Sequence, residues 1–144
     1  MKITTTWAEN MRFSAGNAEH QLAMDAKRPI GEGTALNPKE LVLAGLGGCT
    51  AMDVVALLKK YKQPADSLEL IAETELTPTF PSLFNEVSLR FVVNGNVEPA
   101  KLIEAVELSQ TKYCGVSAML SKAVPIRYSI ELNGENIHSG TAKF

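Results

Sequence analysis

Hydrophobic and polar positions along the chain change period several times. Residues 2–7 (KITTTW) put Ile3, Thr5 and Trp7 on one face, the period-2 pattern of a strand. Glu9-Asn10 reads as a turn, Met11-Arg12-Phe13 begins a second strand, Gly16-Asn17 marks another turn, and His20–Asp25 reads as a third strand through Leu22 and Met24. An antiparallel meander is therefore predicted at the N-terminal end. Lys27–Leu36 is punctuated by Pro29, Gly31 and Gly33 and reads as a loop.

From Leu41 to Leu58 the only charge is Asp53. Helix signals bracket this run. Asn37 suits an N-cap, Pro38 the first helical position and Glu40 the electropositive first turn, while Lys59 and Lys60 complement the C-terminal end. The spacing predicts a helix of about 23 residues, roughly 35 Å long. Its length touches the lower limit for a membrane span. Asp53, Thr50, Gly45, Gly47 and Gly48 favour a core helix instead, and no second such run exists.

Ser67–Thr77 alternates Leu68, Leu70, Ala72, Thr74 and Leu76 against Glu69, Glu73 and Glu75, giving a strand with a solvated acidic face. Asn85–Gly95 alternates Val87, Leu89, Phe91 and Val93 and is predicted to pair with it as a hairpin. Pro99–Lys112 carries Leu102, Ile103 and Val106 at helical spacing, followed by a break at Cys114-Gly115. Ser117 reads as the N-cap of a short helix over Ala118–Lys122. Pro125–Gly134 is predicted as the last strand, leaving an exposed tail. Strands, long helix, two strands, helices and strand make an α+β fold with antiparallel sheet. One sheet cannot cover a helix apolar nearly all the way round, so either two sheets or a second chain must enclose it, which favours a dimer.

Composition narrows the classes. A chain of 144 residues, 45% hydrophobic and 21% charged with net charge −2, is expected to form one domain with a real core. No basic block supports nucleic-acid or anionic-membrane binding, and Trp7 with few other aromatics makes no stacking platform. The opening residues lack an apolar signal-peptide core, so a cytoplasmic protein is expected. His20 and His138 lie far from each other and from the cysteines, without metal-ligand spacing, so no zinc or iron site is expected.

The chemistry then rests on Cys49 and Cys114. A free cysteine on an apolar helix is usually an inert small hydrophobe. Here each has a glycine neighbour, and each sits where the local pattern is unusual: Cys49 within the glycine-dense helix, Cys114 at a helix break. Two such thiols can act as peroxidatic and resolving partners if the fold brings their Cα atoms within about 7 Å.

The stretch NPKELVLAGLGGCTAMDV, followed 65 positions after Cys49 by the cysteine of KYCGVSAML, resembles the OsmC/Ohr family of organic hydroperoxide peroxidases. The resemblance runs over most of the chain. It implies an OsmC-like intertwined α+β homodimer whose antiparallel sheets enclose long central helices, with sites built from both subunits. It also implies reduction of a small apolar hydroperoxide by Cys49, resolution by Cys114 and resetting by a dithiol reductant, with no metal, haem or flavin. A buried thiol needs a cation nearby to become thiolate. The family supplies an N-terminal arginine. Arg28, in KRPIGEGTALNP, resembles the OsmC-type residue, and Arg12 falls nearer the Ohr-type zone. In active members a glutamate ten positions before the reactive cysteine holds that arginine. Lys39 stands there in this chain, and Glu40 follows one residue later, rotated by about 100° on a helix. Asp53, at i+4 from Cys49, is expected to be a carboxylate hydrogen-bonded to the opposing chain rather than a catalytic group. Lys39 leaves open a second reading, a redox-sensing or apolar-ligand-binding homodimer of the same fold with weak or no peroxidase activity.

Overall fold

Sequence-local signals place most of the elements where they form. The computed structural model describes all of residues 1–144, which gather into two parts, Met1–Leu43 and Ala44–Phe144.

In Met1–Leu43, β1 (Thr4–Glu9), β2 (Arg12–Gly16) and β3 (Gln21–Met24) form the antiparallel meander. The pairs Thr6↔Ser14 and Ser14↔Ala23 set its register. Asn17 organises the second turn, its Oδ1 accepting from the N–H groups of Glu19 and His20 at 2.9 and 2.8 Å. Every residue of β1 is exposed within the chain, Trp7 included. After β3 the buried carboxylate of Asp25 folds the Lys27–Leu36 loop over itself: its Oδ2 accepts from both the N–H and the hydroxyl of Thr34, at 3.0 and 2.9 Å.

Helix α1 runs from Pro38 to Lys60, the bounds its capping signals predict. Asn37 Oδ1 accepts from the N–H groups of Lys39 and Glu40, and Glu40 Oε2 accepts in return from Asn37 N–H at 2.9 Å. This reciprocal arrangement satisfies amide donors that a helix start would otherwise leave orphaned.

In Ala44–Phe144 a four-stranded sheet has the order β4 (Ser67–Leu76), β5 (Phe84–Asn94), β6 (Ile126–Leu132), β7 (Glu135–Thr141). β4 and β5 form the predicted hairpin, with Leu70 opposite Phe91 and Glu69, Glu73 and Glu75 in solvent. The antiparallel expectation fails at one place. β5 and β6 run parallel, Val87 opposite Ile126 and Leu89 opposite Tyr128. The connection between them carries two helices, and a crossover of that length returns the chain to the same end of the sheet. The tail read as exposed is mostly so, but it is also a strand: Glu135–Thr141 pairs antiparallel with β6.

The core of this part is the inner face of β5 and β6, where Leu89, Phe91 and Ile130 are fully buried, together with Leu46, Val54 and Leu58 of α1 and Leu102, Ala105 and Val106 of α2 (Pro99–Leu108). Only one side of α1 is buried. Gly45, Gly48, Met52 and Val55, spaced three and four residues apart, lie along another side. A Cβ built on either glycine meets nothing within 4 Å, and Met52 and Val55 are 74% and 37% exposed.

Candidate active site

α1 brings three polar or reactive side chains to one region. Cys49 and Asp53 are one turn apart on the same face, and Thr50, fully buried, stands beside Cys49. The opposing side comes from the segment after α2. There the helix widens into a π-turn, Ser109–Tyr113, closed by the Cys114 N–H donating to the Ser109 carbonyl at 3.0 Å. Such a turn shifts the side chains that follow relative to a regular helix and recurs at functional sites. It turns Ser109 and Gln110 inward, both fully buried, and delivers Cys114 to the start of α3 (Gly115–Leu120).

Cys114 itself is the N-cap of α3, in extended conformation, with its sulfur accepting from Ser117 N–H at 3.3 Å. The expected cap at Ser117 is thus corrected: a sulfur replaces the usual oxygen, and Ser117 lies inside the helix. Its hydroxyl is free for the network around it. Thr50 Oγ donates to Cys114 Sγ at 3.2 Å and accepts from Gln110 Nε2 at 3.1 Å. Ser117 Oγ donates to Gln110 Oε1 at 3.2 Å. On the other flank Ser109 Oγ donates to Asp53 Oδ2 at 3.0 Å. Within its own chain the Asp53 carboxylate thus has a hydroxyl partner.

One ligand-type atom from each of Cys49, Cys114 and Asp53 lies within 4.8 Å of the other two, so the fold brings the two cysteines together across 65 positions of sequence. Cys114 is fully buried and Cys49 half-buried. Their environments push them apart in acidity. Burial raises the Cys49 thiol; the Val116 N–H pulls against it, and the Cys114 sulfur and the Asp53 charge add to the rise. Burial acts on Cys114 too, yet hydrogen bonds from Ser117, Thr50 and the Cys49 thiol outweigh it and hold Cys114 below an ordinary thiol. In this pair Cys49 donates its proton toward the Cys114 sulfur. Loss of two electrons and two protons from the pair gives a disulfide.

The remaining sequence candidates lie in Met1–Leu43. Arg12 pairs with Glu9 at 3.0 Å on the β1–β2 turn. Arg28 is exposed, and its Nε donates to the Glu32 carbonyl at 3.2 Å. Glu40, besides its capping role, is paired with Lys27 at 2.6 Å. Within this part the cation that holds Glu40 is a lysine, and neither arginine does so. Thr50, Ser109, Gln110 and Ser117 join the site from outside the sequence candidates. Thr50 had a signal, a polar side chain next to Cys49 in an apolar run. The other three needed the π-turn and the sulfur cap, which local pattern does not reveal.

The profile of a family described as OsmC-like protein matches residues 31–129. The chain is 38% identical to Protein YhfA of Escherichia coli strain K12 over 134 residues, covering 92% of this chain and 98% of that one. A hypothetical protein from Aquifex aeolicus VF5 superposes with TM-score 0.83 at 26% identity, covering 93% and 96% of the two chains. An organic hydroperoxide resistance protein from Elizabethkingia anophelis shares the fold at TM-score 0.68 and 19% identity, covering 91% and 94%.

Proposed function

The chain belongs to the OsmC-like family, and on that premise we propose that it is a single-domain, thiol-dependent peroxidase that reduces organic hydroperoxides, with Cys49 peroxidatic and Cys114 resolving. The observation that carries this reading is the meeting of the two sulfurs, with the more accessible one on α1. The organic hydroperoxide resistance named for the Elizabethkingia anophelis protein supports this substrate class.

Cys49 hands its proton to the Cys114 thiolate along their hydrogen bond and attacks the distal peroxide oxygen as thiolate. The O–O bond breaks, the alkoxide takes the proton now on Cys114 and leaves as alcohol, and Cys49 becomes a sulfenic acid. Cys114, thiolate again once that proton has gone, attacks the sulfenic sulfur; the hydroxide takes a proton from solvent and leaves as water, and the disulfide forms. A dithiol reductant restores both thiols by exchange. In the proposed homodimer an N-terminal arginine of the second chain, Arg28 before Arg12, is the residue we assign to steady the Cys49 thiolate. Arg28→Met then lowers the catalytic efficiency more than Arg12→Met does.

The open stripe of Gly45, Gly48, Met52 and Val55 supports a homodimer in which this side of α1 is covered by a second chain. We place the protein in the cytoplasm, where a dithiol reductant pool is at hand.

The decisive experiment follows consumption of cumene hydroperoxide with a dithiol. The wild type turns over and Cys49→Ser does not, while Cys114→Ser performs one turnover and accumulates a trappable sulfenic acid. Equal, slow consumption by wild type and Cys49→Ser overturns the reading. A second reading, redox sensing or apolar-ligand binding without turnover, is favoured by the Lys27–Glu40 pair. A groove of about 600 Å³ beside α1, lined by Met52, Val55, Ala56, Pro64 and Leu68, gives an apolar ligand a place in the cleft between α1 and the covering chain. Sulfenic acid formed on Cys49 in the wild type without catalytic turnover selects this second reading.

A further inference from the structure

Asp53 has no part in the peroxidase steps, yet its carboxylate stands within 4.8 Å of both sulfurs. The side chains gathered there are Cys49, Thr50, Asp53, Ser109, Gln110, Cys114 and Ser117, without a lysine, arginine or histidine among them. Two sulfurs and a carboxylate converge here, and the arginine assigned to steady the Cys49 thiolate comes from outside this group.

We propose that the reduced site binds one soft divalent cation of the zinc–cadmium class per chain, through Cys49 Sγ, Cys114 Sγ and an Asp53 carboxylate oxygen. The donor set selects the class: thiolates favour zinc and cadmium, whereas magnesium and calcium require oxygen ligands. Zinc–sulfur and zinc–oxygen bonds of about 2.3 and 2.0–2.2 Å place tetrahedral ligand atoms somewhat closer together than the upper bound seen here. Cys49 and Asp53, both half-buried on one helix face, close that gap by side-chain rotation.

Outer hydrogen bonds are already in place. Ser109 Oγ holds Asp53 Oδ2 at 3.0 Å, and Cys114 Sγ accepts from Thr50 Oγ at 3.2 Å and Ser117 N–H at 3.3 Å. Partners of this kind fix metal-ligand side chains in orientation. The half-exposed side of Cys49 and Asp53 leaves the fourth position to water.

The site is gated by oxidation. Two thiols and one hydroperoxide give a disulfide, one alcohol and one water, and neither disulfide sulfur can then act as a thiolate ligand. A bound cation in turn occupies both thiols and blocks their attack on peroxide. Binding needs only the reduced thiols, so it stands or falls separately from the peroxidase reading.

The test titrates chelator-treated, reduced full-length protein with cadmium, following the ultraviolet thiolate-to-cadmium charge-transfer band, and repeats the titration with zinc against a chelating dye. One equivalent per chain is expected for the reduced protein and none for the diamide-oxidised protein. Asp53→Asn weakens binding at least tenfold, and Cys49→Ser removes the stoichiometric band. The reduced-against-oxidised comparison is made on wild type and needs no variant to fold. Absence of the band in the reduced protein, equal binding after oxidation, or full affinity in Asp53→Asn overturns the proposal.

Discussion

The Thr50 hydroxyl donates to the Cys114 sulfur across 3.2 Å while accepting from Gln110, so one buried side chain ties α1 to the beginning of α3. Thr50→Val keeps the shape and removes the hydroxyl, leaving the Gln110 amide short of its partner. The reduced protein is expected to lose about 1–3 kcal/mol, the cost of an unsatisfied buried polar group. In a Cys49→Ser background, alkylation of Cys114 slows several-fold near neutral pH because its sulfur has lost a donor. Thr50→Ser retains the hydroxyl and largely restores both. Chemical denaturation and timed alkylation read the two effects.

The helix glycines divide by what faces them. A Cβ on Gly47 lies 3.1 Å from Leu70 Cδ2, whereas one on Gly48 meets nothing. Gly47→Val is expected to cost about 1–3 kcal/mol through overpacking against β4. Gly48→Leu leaves the packing of its own chain unchanged and acts on the proposed homodimer, whose dissociation constant is expected to rise at least tenfold. Sedimentation equilibrium distinguishes the two.

Asp25 makes the N-terminal loop sensitive to acid. The Thr34 N–H is the largest influence on its carboxyl; burial opposes, the Thr34 hydroxyl and nearby backbone N–H groups assist, and the result lies below the ordinary aspartate value. A carboxyl lower in the folded than in the unfolded chain contributes stability above the unfolded value, and that contribution is lost as pH falls through the folded one. Asp25→Asn should therefore melt below wild type at neutral pH, with the difference closing in the acid range below about pH 4. A melting-temperature gap independent of pH contradicts this.

Glu40 carries two separable interactions, the Asn37 N–H and the Lys27 ammonium. Glu40→Gln keeps an acceptor for the first and loses the second. Glu40→Ala loses both. The order of thermal stability is expected to be wild type, then Gln, then Ala, with the larger step at Ala because exposed ion pairs contribute little. Raising the salt concentration narrows the wild type–Gln gap and leaves the Gln–Ala gap in place.

The parts of the molecule readable from sequence are those determined by neighbours in the chain. Asn37, Pro38, Glu40 and the two lysines bound α1 to the residue, and alternation located β4 and β5 because a two-period pattern is local. The direction of β6 against β5 is set by the crossover between them, and alternation is the same in either direction. β7 escaped because ENIHSGT presents mostly polar side chains at the sheet margin. The two thiols were readable from their glycine neighbours and their family resemblance. Their surroundings were not: Ser109 and Gln110 turn inward only because of the π-turn, and Cys114 caps α3 only because its backbone is extended.

That cap joins redox chemistry to backbone order. The first turn of α3 is held by a sulfur whose strength as an acceptor depends on its charge, greatest as thiolate and least once bonded to another sulfur. Forming the disulfide thus loosens the Ser117 amide, and six residues ending near the exposed Met119 feel the change. Amide exchange at Ser117 becomes a gauge of the cysteine pair, and α3 a short spring wound by the electrons stored in it.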